Sequence, residues 1–271
     1  MDDNEQREFR QLLGLFADTD ALVQRIRGVE VERIEPQPGS PLAGDDRRAG
    51  MFGASGAAWN HLVVAVDHLS TLLAATVGRG NAGDVALHLH LYDQFTLLRA
   101  MIENASAVLW LLGPASRADR VLRRLQFAAA DIRNNEAVKM ILQQPGRKTK
   151  DQRLEEVRVI ASACGLDPKS ALRGPGYEDI VRAAGEATEI GGDLAVVLWR
   201  ACSGLAHGDF WASITLPGAA RLASTRTGMA NLELSPNVRG MCTALLAAKI
   251  LIVEALRLYE RRCTPALLAA A

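Results

Sequence analysis

Residues 196–211 read Val-Val-Leu-Trp-Arg-Ala-Cys-Ser-Gly-Leu-Ala-His-Gly-Asp-Phe-Trp. On a helix, Arg200, Ser203, Gly204 and His207 fall at i, i+3, i+4 and i+7 and so share one stripe, with Gly208 where helices commonly stop. A guanidinium, a hydroxyl, a gap and an imidazole then line up. A guanidinium binds phosphate or carboxylate through a fork of N–H donors, and an imidazole gains and loses protons near neutral pH. The chemistry this spacing supports is anion recognition, with His207 as a general acid or base. Ser203 and Gly204 let a second helix or a phosphate backbone come close to the axis. The competing reading is structural: a helix-end histidine facing the terminal carbonyls, and an arginine on a solvated face or paired to a carboxylate.

The element best placed to face this stripe is a predicted helix over 85–112, started by Asp84 and closed by Gly113-Pro114. It is apolar almost all round, as a central helix is. The exception is a polar line, Tyr92, Thr96, Arg99, Glu103 and Ser106, at spacings of 4, 3, 4 and 3. Arg99 and Glu103 form either an i, i+4 pair on a narrow wet face or an inward-facing pair that meets Arg200 or His207. In the second case Glu103 orients a base or neutralises a cation.

The remaining pattern is helical. Helices are expected within 5–27, over 54–77, over 117–142, over 151–164 and 177–189, and from the Ser235-Pro236 start through the C-terminal stretch. Residues 28–53 collect Pro36, Pro38, Pro41 and several glycines and read as a long connection. After Gly208 the texture changes to short Thr/Ile/Leu/Trp runs over 211–216, 221–226 and 230–234, broken by Pro217-Gly218 and Thr227-Gly228. The expected fold class is all-α: a multi-helix bundle with a small β-hairpin or three-stranded flap near residues 210–234. Residues 1–53 form a helical arm with its Pro/Gly-rich connection, and residues 54–271 form the bundle with its flap.

Arg200 and His207, with six residues between them and a His-Gly helix ending, resemble the signature of the HEPN superfamily of all-helical proteins. The resemblance covers the helices from residue 54 onward, and its sharp motif is these two residues. It implies a homodimer in which two Arg and two His converge on RNA. It also implies a metal-independent endoribonuclease of a toxin or defence system, with a cognate antitoxin as a partner, in which the ribose 2′-hydroxyl attacks the neighbouring phosphate. Active members usually place Asn, Asp or His directly after the Arg, where this chain has Ala201, which leaves an inactive relative or a differently used site open. The alternative is a non-catalytic helical module that packs a partner helix or binds a small anion on the same stripe.

Composition limits the partners. Lys+Arg and Asp+Glu both total 31, so no global field draws the chain to nucleic acid or to an anionic membrane. Locally, residues 1–46 carry 11 acids and 5 bases, and residues 114–160 carry 11 bases and 6 acids. The second segment is the expected anion-facing surface, and Arg117, Arg120 and Arg124 are its candidate RNA contacts, against the plainer reading of a solvated face. His61, His68, His88 and His90 lack the spacing of helical metal centres, and no phosphate-loop glycine pattern occurs, so neither a metal nor a cofactor is expected. Four scattered cysteines form no Cys-x-x-Cys pair. The acidic, polar start Met-Asp-Asp-Asn-Glu-Gln-Arg gives no expectation of an export signal, and the apolar run 241–259 contains Lys249 and Glu254, so no membrane partner is expected; the expected location is cytoplasmic.

Overall fold

The computed structural model describes residues 3–27, 35–80, 84–144, 146–216, 218–222 and 231–265. The chain is an all-α bundle with two small hairpins. Its centre is α5 (Asp93–Leu112). Phe95, Leu98, Ile102, Ala105, Leu109 and Leu112 recur at helical spacing, Met101 and Val108 widen the stripe, and the last two turns are buried on every side. Four helices enclose it: α4 (Ala54–Thr76), α9 (Tyr177–Glu186), α10 (Gly192–His207) and α12 (Val238–Cys263). By length and mean hydropathy α5 alone among the described helices is suited to crossing a membrane, and 61% of its most apolar window is buried inside the bundle. Neighbouring helices supply the apolar surroundings that its composition calls for.

The N-terminal arm packs into this core. Leu12 and Phe16 of α1 (Asp3–Phe16) and Leu22, Val23 and Ile26 of α2 (Thr19–Arg27) belong to the same buried cluster as α5. The turn between α1 and α2 is tied to α12 by Lys249, a nearly buried ammonium that donates to the Leu15 carbonyl and to Asp18.

The connection expected over 28–53 is corrected in its second half, which holds α3 (Pro41–Ala49) and a 3-10 turn over Gly50–Phe52. Ser40 is the N-cap and its hydroxyl accepts from Ala43 N–H at 3.2 Å, while Pro41 fits the first helical position, where an N–H would go unused. Residues 28–34 lie outside the described residues. The two acids of α3 organise its surroundings. Asp46 accepts from the Ala54 and Ser55 N–H groups at 2.5 and 2.9 Å and so caps α4. Asp45 accepts from α6 (Arg117–Leu142), with Arg120 Nε at 2.6 Å and Nη2 at 2.9 Å and Arg117 Nε at 3.2 Å. A second apolar cluster fills the space between α3, α6, α7 (Lys150–Ala163) and the short α8 (Pro168–Ala171), built on Val121, Leu125, Ala129, Val157 and Ala171.

Two local expectations are overturned by tertiary packing. The helix predicted from residue 85 begins only at Asp93, because Val85–Leu87 forms β2 and pairs antiparallel with β1 (Val77–Arg79). Buried Gln94 stabilises the exit from that hairpin, donating to the His88 carbonyl and accepting from His90 N–H, both at 3.0 Å. The strand expected over 211–216 is a helix, α11 (Phe210–Thr215). Gly208 takes a left-handed φ of 70° and ends α10 with two closing bonds, Asp209 N–H to Gly204 O at 2.8 Å and Gly208 N–H to Leu205 O at 3.2 Å. The reversed chain then lays Ala212, fully buried, against α10.

The expected hairpin forms from β3 (Gly218–Leu222) and β4 (Asn231–Ser235), with Gly218 opposite Ser235 and Leu222 opposite Asn231. Its connection, including the Thr227-Gly228 turn and the strand expected up to 226, lies outside the described residues. Ser235 is the last residue of β4, and Asn237 is the cap of α12, its side chain accepting from Gly240 N–H at 2.8 Å.

Candidate functional site

The polar line of α5 faces α10. Glu103 Oε1 accepts from Arg99 Nε at 2.8 Å and from the indole N–H of Trp199 at 2.8 Å. With its Nε held, Arg99 extends Nη1 to His207 Nε2 at 2.7 Å. A guanidinium has donors only, so His207 Nε2 is the acceptor, and the ring proton in this arrangement sits on Nδ1. The inward reading of Arg99 and Glu103 therefore holds for His207, through Arg99 and not through Glu103 directly. Trp199 enters the network from a position that sequence reasoning passed over; the only available signal was its place one residue before Arg200.

Arg200 takes a different partner. It donates to Glu178, which opens α9 and also accepts from Arg182 at 3.4 Å, while Arg182 reaches across to Asp193. The hydrogen bond from Arg200 holds the Glu178 carboxyl below the usual carboxylate range, with the charges of Arg200 and Arg182 acting in the same direction. Because that value is depressed, the pair is intact at and above pH 4.5 and is lost as pH falls through the lowered value. Arg200 and His207 thus share a stripe of α10 and both stand exposed, but each is tied to its own neighbour, Glu178 and Arg99 respectively. Arg200 also lies over the Trp199 ring, 5.9 Å from its centroid.

Small residues on the stripe admit the chain's own α11. A Cβ on Gly204 would stand 2.7 Å from Ala212 Cβ and 2.8 Å from Trp211 Cζ2. The gap foreseen between Arg200 and His207 is filled by an indole, and half-buried Ser203 lies beside it. Trp211 remains 49% exposed. Tyr177, next to Glu178, keeps an exposed ring, and its hydroxyl is pushed up by burial and then by the charge of Glu103.

Other sequence candidates fall elsewhere. Tyr92 precedes α5, where its carbonyl accepts from Phe95 and Thr96 N–H at 3.1 and 3.2 Å, and its half-buried side chain packs on the core. Of the three arginines read as RNA contacts, Arg120 is corrected by its burial, while Arg117 stays exposed and Arg124 half-buried, each with a protein acceptor. Arg120 is 2% exposed and is held by Asp45 and by the Pro114 and Ala115 carbonyls, both at 2.8 Å. Arg117 shares Asp45, and Arg124 donates to the Gly53 carbonyl at 2.9 Å from a site where burial pulls its guanidinium below the ordinary value. Asp45 and Gly53, which hold these three side chains, lie more than 70 residues away in sequence, which is why the segment read as a free basic face.

His61 Nδ1 meets Asn104 Oδ1 at 2.7 Å, and no cluster of three metal-binding side chains occurs among the described residues. The four cysteines are free, and burial pushes the Cys202 thiol up to about 12, leaving it a poor nucleophile. No family model matches the chain, and no curated protein or solved structure matches it.

Proposed function

We propose that this chain is a HEPN-like helical protein that receives an RNA phosphodiester at the junction of α5 and α10 and cleaves it without a metal. The observation that carries the reading is the 2.7 Å contact between Arg99 and His207, with Arg99 braced from behind by Glu103. A phosphate is a stronger acceptor for a guanidinium than a neutral imidazole is. When the phosphate draws Arg99 Nη1 to itself, His207 Nε2 loses its donor and becomes a free base beside the bound phosphodiester. It can then take the proton of the ribose 2′-hydroxyl, whose oxygen bonds to phosphorus as the 5′-oxygen leaves with a proton from water or a second histidine. A two-fold dimer would supply that histidine, and a cognate antitoxin would cover the same face. Arg200 joins the phosphate only after leaving Glu178.

A second reading is binding without cleavage. It is favoured by the resting tautomer of His207, whose Nδ1 carries an N–H donor, and by Ala201 where active relatives of the superfamily carry a polar residue.

Cutting of single-stranded RNA by the full chain in excess EDTA tests both. The expected result is cleavage that His207→Ala lowers by about 100-fold or more, the range for loss of an acid-base group, with the melting temperature held within a degree or so. Glu178→Gln, which releases Arg200, is expected to tighten RNA binding several-fold. Binding that needs Arg99 and His207 but yields no product establishes the second reading. RNA that neither binds at low salt nor is cut removes both.

A further inference from the structure

Among the described residues the exposed aromatic side chains of Phe, Trp and Tyr are Tyr177, Phe210 and Trp211, and all three lie on segments that carry or adjoin the site just described. Every other described Phe, Trp and Tyr is buried or half-buried. Tyr177 adjoins Glu178, the partner of Arg200. Trp211 lays the edge of its indole on Gly204, which lies on the stripe between Arg200 and His207, so the floor between two cationic or protonatable groups is aromatic. Phe210 is 77% exposed and starts α11 three residues beyond His207. Three virtual bonds limit that separation to about 11 Å between Cα atoms, within reach of a single nucleotide spanning phosphate and base.

Exposed aromatic rings are costly to leave in water, and scattered ones need no explanation, but Trp211 touches the stripe between Arg200 and His207, Phe210 precedes it in the chain, and Tyr177 adjoins the partner of Arg200. Cations alternating with bare rings are the arrangement that holds unpaired nucleic acid, whose bases offer π-faces that a duplex keeps stacked internally. A free phosphate or a phosphorylated small molecule would use the cations and leave the rings idle.

We propose that Trp211, with Phe210 at its edge, is the base-stacking floor of this site, and that the ligand is a stretch of unpaired nucleotides whose phosphate lies among Arg99, Arg200 and His207. The proposal rests on the phosphodiester reading above and adds the residues that read the base. Gly204 has a purpose in it, since any side chain there would lift the indole from α10.

The test uses the full chain and three probes that cannot be cleaved: a 2′-O-methyl RNA octamer of unstructured sequence, the same octamer paired to its complement, and an abasic sugar-phosphate strand of equal length. The single strand is expected to bind about tenfold or more tighter than the abasic strand and the duplex, the usual worth of one or two stacked bases. It is also expected to quench tryptophan emission, and Trp211→Phe should retain most of the affinity while losing most of the quench.

Phe210→Ala, at a position open to solvent, should weaken the octamer several-fold and leave the abasic strand unchanged. Trp211→Ala should bring the octamer down to the abasic level. Equal affinity of the wild-type chain for octamer and abasic strand, both dependent on Arg99 and His207, overturns the stacking floor and leaves the phosphate site standing. Failure of the chain to bind either strand removes the phosphate site and the floor together. Loss of abasic binding in Phe210→Ala overturns the assignment, because it marks a structural role.

Discussion

Asp45→Ala is expected to lower the free energy of unfolding by about 3–5 kcal/mol, the cost of removing one partner from a buried ion pair. The Asp45 side chain is fully buried, and that of Arg120 is 3% exposed. Without the carboxylate, a guanidinium remains inside the protein with only the Pro114 and Ala115 carbonyls for company. Water cannot reach it unless the start of α6 lifts off α3, and that movement also opens the apolar cluster of Val121, Leu125 and Ala129. Urea denaturation followed by far-ultraviolet circular dichroism reads the change directly. Asp45→Ala combined with Arg120→Met removes both charges and should recover most of the loss, since the site then needs only apolar contact. A single-variant loss below about 1 kcal/mol would mean that the pair is open to solvent.

Gly185→Ala should destabilise by about 1–3 kcal/mol, although alanine is normally the better helix former. A Cβ at residue 185 would stand 2.5 Å from the Gly191 carbonyl oxygen and 2.6 Å from Ala195 Cβ. The obstacle is backbone held on both sides: Gly191 donates to Gly185 O at 3.0 Å, and its own carbonyl accepts from Ala195 N–H at 3.1 Å. Relief requires α9 and α10 to separate, which unseals Ile180, Val181, Ala184, Ala195 and Val196. The melting temperature should fall by roughly 2–4 °C for each kcal/mol. The movement also draws Glu178 from Arg200, so weakened burial and a loosened ion pair should appear in the same variant. A melting temperature equal to or above that of the wild-type chain would show that the two helices are not in close contact there.

Features that depend on local periodicity were legible in the chain, and those that depend on distant partners were not. The central place of α5 follows from its almost unbroken apolar surface, and the interruption at Arg99 and Glu103 did mark the side turned toward His207. That Arg200 would turn to Glu178, 22 residues earlier, had no signal in spacing. The basic excess over 114–160 misled for the same reason, because Asp45, the acid that engages Arg120, stands 75 residues away.

Other misses were signals given the wrong weight. Ser40-Pro41 is a cap followed by a first-turn proline, a helix start masked by the prolines and glycines around it. At Ser235-Pro236 the same dipeptide was read as a start, yet the cap proved to be Asn237. The run 211–216 looked extended because Thr, Ile and Trp favour strands, and packing of Ala212 and Trp211 on α10 outweighed that preference.

The ammonium of Lys249 bears on how the protein can be dissected. It emerges from the middle of the last helix and ends on groups contributed by the turn after the first, so residues 3–27 cannot be cut away as a dispensable extension. A fragment beginning at residue 35 would carry a stranded cation beside bared leucines and valines, and would be prone to cluster with its own kind. Deletion work on this chain should therefore preserve its leading helices, and a loss of solubility on trimming them would reflect that missing clasp and not the removal of a recognition element.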